Sequence, residues 1–98
     1  MKVKIHNGYR DMIAICDSDL IGRVFEEGKM QIDVRVSFFD GDEKNEEEVE
    51  KIIHEGATED ATFNIVGKKS VAIAIKSGLV AKESVMTVQN IPVALVLL

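Results

Sequence analysis

Gly67-Lys68-Lys69-Ser70 is the place in this 98-residue chain where residue types and spacing come nearest to a recognisable chemistry. A glycine turn that runs into a helix presents backbone N–H groups and basic side chains to an anion. Lys68, Lys69 and Ser70 are therefore candidate anion or RNA contacts, with Arg10 as a further cation for the same role. The competing reading is a turn, a cap and two solvated lysines. A nucleotide-hydrolysing loop is not present, because position 62 holds Thr62 where that motif needs glycine. Just upstream, Asn64 is a candidate ligand-orienting side chain, or else a partner for backbone groups in an irregular turn.

The other reactive residue types are poorly placed for catalysis. Cys16 is followed by Asp17 and Asp19, whose charges disfavour a thiolate, and no local rule sets His6 or His54 beside it. Cys16 is expected as buried packing. The two histidines, the one cysteine and the carboxylates show no C-x-x-C, H-x-x-x-H or Ca²⁺-loop spacing. No catalytic residue, metal ligand or cofactor is assigned.

Charge is segregated. Asp40 to Asp60 holds ten acidic residues and two lysines, a net of −8, whereas the rest of the chain carries +3 and the whole −5. An overall acidic chain is not what a phosphate backbone selects, although Lys2, Lys4, Arg10, Arg35, Lys68 and Lys69 would form a basic surface if the fold gathered them, with Tyr9 as a neighbouring ring. The hydrophobic fraction of 46% belongs to chains that fold, and the length suits one domain spanning residues 1–98. The longest apolar stretch, Ile91 to Leu98, is far too short to cross a bilayer. A lone cysteine with no secretory leader before it leads us to expect a cytoplasmic protein with no membrane partner.

Positioning elements follow from periodicity. Lys2 to His6 alternates as a half-buried strand, Asn7-Gly8 turns, and Met12 to Cys16 returns as the second arm of a hairpin. Asp17-Ser18-Asp19 offers caps for a short helix or structured loop near Leu20. Met30 to Phe38 has the clearest alternation in the chain and reads as one strand, closed by Phe39-Asp40-Gly41-Asp42. Asn45 with Glu48 three residues on is a capping box opening a helix whose buried stripe is Val49, Ile52 and Ile53, with Gly56 as its stop. Ala57 to Val66 fits a short strand or a connector. Val71 to Ile75 is apolar throughout, so a buried helix ending at Gly78 competes with a strand. Val85 to Val88, a Gln89-Asn90 turn and Val93 to Leu98 make a second terminal hairpin. The expected class is α+β: a small mixed or antiparallel sheet with terminal β-hairpins and helices covering one face.

Asn64 through Val80, with Cys16-Asp17, Gly22, Phe25-Glu26-Glu27-Gly28 and Ile91-Pro92, resembles the archaeal family called domain of unknown function 424, over nearly the whole chain. The resemblance implies an archaeal, cytoplasmic α+β protein with a helix after Gly67, and brings no catalytic residues with it. Three function classes follow. The first is a non-enzymatic protein-binding or assembly module, with a protein partner or a second copy of itself. The others are an RNA or ribonucleoprotein-associated factor and an enzyme of unidentified reaction class.

Overall fold

The computed structural model describes residues 1–97. Its centre is a six-stranded mixed sheet built from β1 (Lys2–His6), β2 (Met12–Cys16), β5 (Asp42–Glu43), β6 (Thr62–Val66), β7 (Met86–Val88) and β8 (Ile91–Val96). The strand order is β5-β1-β2-β6-β8-β7. Among the described residues, only the β2–β6 pair is parallel, with Met12 beside Thr62 and Cys16 beside Val66. The parallel pair needs a crossover, supplied by the chain between Asp17 and Ala61. Both terminal hairpins form as expected, β1 with β2 and β7 with β8.

Two helices cover one face. In α2 (Glu46–Thr58) the Asn45 side chain accepts from the Glu48 N–H at 2.9 Å while the Glu48 carboxylate accepts from the Asn45 N–H at 3.0 Å, completing the capping box. Val49 and Ile53 are buried. Gly56 is not the stop that its type suggested. It lies inside α2 where the helix presses on the sheet, and a Cβ there would stand 2.6 Å from Ile13 Cδ1 and 2.9 Å from Phe63 Cζ. The second helix, α3 (Lys68–Lys76), is the helical outcome for the apolar run, and Lys76 joins it to α2 through Glu50 at 3.0 Å and Glu46 at 3.5 Å. Val3, Ile13, Ile15, Phe63, Ile65 and Ala94 meet these helices to form the larger core.

The opposite face differs from the sequence expectation. Met30 to Phe38 is not one strand: β4 (Met30–Asp33) pairs only with β3 (Val24–Glu27) in a separate hairpin, and the chain then forms a single helical turn, α1 (Val36–Phe39). Ser18–Leu20 is a short 3₁₀ turn, and the strand that follows replaces the helix read near Leu20. The alternation held to Val34, which is buried, but no strand lies beside residues 36–38 to continue the ladder. Instead, the last carbonyls of α1 are held by β1: Lys4 Nζ donates to Ser37 O at 2.8 Å and His6 Nε2 donates to Phe38 O at 2.9 Å. These are carbonyls that a helix end leaves without intrahelical partners. His6 also stacks on Phe38, with ring centroids 4.6 Å apart.

Candidate functional site

The β3–β4 hairpin and α1 stand over the sheet without closing on it, leaving a cleft of about 500 Å³. Val66, Val88 and Val93 form buried parts of its lining. Met30, Met86 and Leu95 also line it and are 41%, 46% and 49% exposed. Alternation along β6 explains the division: Phe63 and Ile65 belong to the helix-face core, so Asn64 and Val66 project to the cleft side. The hairpin's position is set by Gln89, whose backbone N–H donates to Glu27 Oε1 and whose side-chain amide donates to Glu26 O, both at 2.7 Å.

Asn64 supplies a polar group in this mostly apolar setting. Its Nδ2 donates to Met12 Sδ at 2.8 Å, and Thr62 Oγ1 donates to the same sulfur at 3.2 Å. A thioether only accepts, so the amide nitrogen must face Met12, and this orientation leaves the amide oxygen as an acceptor. Arg35 and Asp33 form a partly exposed ion pair at 3.1 Å in the lining. Large apolar walls with a few polar groups are the usual composition of a binding cleft.

The turn at Gly67 is arranged differently from a free anion site. Asp17 lies within it: its Oδ2 accepts from the Lys69 N–H at 3.1 Å, and its Oδ1 accepts from the Ser70 N–H at 2.9 Å and the Ser70 hydroxyl at 2.8 Å. The chain thus provides its own carboxylate to the start of α3. Gly67 has φ +112°, and a Cβ there would fall 2.4 Å from Asp17 Cγ. Ser70 is buried, while Lys68 and Lys69 are exposed beside Asp17, Asp19 and Glu43.

The fold sets Arg10 apart from Lys68 and places Lys2 at the Lys68 end of the sheet. Arg10 precedes β2 and Lys68 follows β6, and because these strands run parallel the two residues lie at opposite ends, separated by at least the roughly 13 Å that five strand residues span. Lys2 approaches Asp40 at 3.6 Å, Lys4 holds α1, and Arg35 pairs with Asp33. Tyr9 is fully exposed in the turn beside Arg10.

Cys16 is fully buried, with Ala14, Leu20, Phe25 and Val66 in the same apolar cluster. Burial, and then the Asp17 charge, push its thiol up to about 12. His6 pairs with Met12 at the far end of the strand from Cys16. Among the described residues no group of three or more His, Cys, Asp or Glu side chains is placed to hold a metal ion. No described helix is long and apolar enough to cross a membrane.

The cleft side of the molecule was not legible as a site. The one signal available was Gly28-Lys29 between Glu27 and Met30, a two-residue turn whose glycine has φ +61°, which would have located the hairpin. Comparison with known proteins adds a fold and a family. The chain is similar to the crystal structure of an uncharacterized conserved protein from Methanopyrus kandleri, with TM-score 0.81 and 18% identity over 96% of this chain and 87% of that one. No curated protein matches it. The family profile described as "Protein of unknown function (DUF424)" matches residues 5–98, and the chain belongs to that family.

Proposed function

We propose that the protein is a non-enzymatic binding module that receives an apolar segment of a protein partner in the cleft between the β3–β4 hairpin and the sheet. The observation that carries this reading is the cleft itself, where Met30 and Met86 stand half exposed above buried Val66, Val88 and Val93. Methionine is unbranched and polarizable, and it adapts to apolar partners of different shape. Asn64 adds an acceptor that selects a donor such as a peptide N–H.

The test is selection from a displayed library of random short peptides, followed by affinity measurements on synthetic copies of the winners. Enriched peptides should be apolar, and Met30→Glu and Met86→Glu should each weaken them about tenfold or more while leaving the melting temperature nearly unchanged. A library that yields no binder, or binders indifferent to both substitutions, would remove the cleft as the docking site. A pool of RNA tested at low salt separates the RNA reading, since phosphate contacts would show a steep salt dependence and sensitivity to Lys68 and Lys69.

A further inference from the structure

The sheet ends on one side in a step. Strand β8 pairs with β6 in the register Val66 with Val93, Ile65 with Ala94, Asn64 with Leu95 and Phe63 with Val96. Gly67 N–H donates to Pro92 O at 2.9 Å, one position further along the same register. Antiparallel ladders alternate, so Pro92, Ala94 and Val96 turn their backbone groups toward β6, while Ile91, Val93 and Leu95 turn theirs toward the β7 side. There Val88 and Met86 of β7 meet Ile91 and Val93. Leu95 has no such neighbour. The chain before Met86 winds into a 3₁₀ turn at Lys82–Ser84, with the Ser84 and Val85 N–H groups donating back to Ala81 O and Lys82 O, and Val85 packs against the helix-face core. Among the described residues, none of the backbone bonds outside the regular ladders and helices reaches Leu95.

An open strand edge is a template for another strand, and edges are usually blunted by charge, proline or a covering element. The segment Ile91 to Leu97 has no charged residue, and Pro92 lies in the part that β7 already covers. Leu95 and Leu97 are 49% and 71% exposed. The opposite edge of the sheet is the short acidic β5, which lies within the segment of net −8. In a two-fold contact each surface meets its own copy, so an acidic surface repels itself and a neutral apolar edge does not. The uncharged edge is therefore suited to a second copy of the chain.

We propose that the free edge of β8 is a self-association surface, on which Leu95 and Leu97 pair antiparallel with Leu97 and Leu95 of a second copy. The register follows from what is already occupied. Centring the two-fold on Leu95 would set Leu97 of one copy against Val93 of the other, whose outward groups belong to β7. Centring it on Val96 avoids this, gives reciprocal bonds between Leu95 and Leu97, and places the leucine side chains against one another on the cleft side. The two sheets become one, with the clefts on the same face. Leu95 also lines the cleft, so the contact borders the cleft, but it is built without Met30 or Met86.

Sedimentation equilibrium of the full chain over a concentration series, with circular dichroism on every variant, tests the proposal. The wild type should form a dimer. Leu95→Pro removes the N–H aimed at the open edge together with the leucine side chain of the contact and spares the β6 ladder, and Leu97→Lys puts a charge into the contact at an exposed position; each should leave a folded monomer. If Leu95→Pro fails to fold, Leu97→Lys still decides. Val96→Cys should give a covalent dimer on mild oxidation, because the central non-hydrogen-bonded pair brings Cα atoms to about 4.5 Å, within disulfide range. Cys16, fully buried, does not compete. A monomeric wild type, a dimer that survives both edge substitutions, or a dimer that Val96→Cys fails to cross-link overturns the proposal. Peptide binding by the Met30 and Met86 variants is read separately, so either idea can fail alone.

Discussion

The two faces of the central sheet are held by different physics. The helix face is closed by side-chain packing: Phe63, Ile15, Ile53, Ile65 and Val49 are almost wholly buried, and α2 approaches closely enough that a Cβ at position 56 would displace the Ile13 and Phe63 side chains. The hairpin face has a smaller apolar cluster and relies on directed polar contacts, from Lys4 and His6 to α1 and from Gln89 to the β3–β4 hairpin. Packing of the first kind stabilises broadly and leaves no room. Tethers of the second kind fix a position while leaving a space beside it, and that is where the cleft lies.

Substitutions on each face should expose this difference. Phe63→Ala should have the largest effect, destabilising the protein by about 3–5 kcal/mol, because it opens a cavity where α2 meets the sheet. Urea denaturation gives the number. Next is Asp17→Ala, which leaves the Ser70 hydroxyl and two N–H groups of α3 without their acceptor and should cost about 1–3 kcal/mol. Gly67→Ala should be severe in the wild type and milder when Asp17 is also Ala, since the clash with the Asp17 carboxyl then disappears while the strain of φ +112° persists. A double-mutant cycle by thermal denaturation measures that coupling.

On the hairpin face, Lys4→Met and His6→Ala should each cost only about 0.5–1.5 kcal/mol. Their signature is local: hydrogen exchange should quicken in residues 36–40 before the helix-face strands are affected. The smallest effect concerns Cys16, whose thiol is pushed up to about 12 in the folded protein from 9.0. The native state keeps its proton where the unfolded state has lost it, so this contribution to stability is present below about pH 9 and declines as pH rises from there toward 12. At pH 8 a thiol reagent should label Cys16 only at the rate of unfolding, and rapid labelling of the native protein would contradict its burial.

The sequence determined what depends on near neighbours. The capping box at Asn45 and Glu48 lies within one helical turn, Gln89 and Asn90 close the last hairpin with positive φ at both residues, and the apolar run after Gly67 had only two local outcomes; the first hairpin formed too, but through the five residues 7–11 and without positive φ at Asn7 or Gly8. The tertiary structure decided what depends on distant partners. Met30 to Phe38 alternates as a strand should, yet its pairing runs only to Val34, which bonds Gly22 and Arg23, and Lys4 and His6 then capture the turn that follows. Asp17 reaches the start of α3 across more than fifty residues, and no spacing rule could place a carboxylate in the turn that looked open to an outside anion. Gly67-Lys68-Lys69-Ser70 is a glycine turn that runs into a helix, as its residue types suggested; the parallel pairing of β2 with β6, which sets Cys16 beside Val66 and so Asp17 beside Gly67, gave the N–H groups of that turn an acceptor from the chain itself.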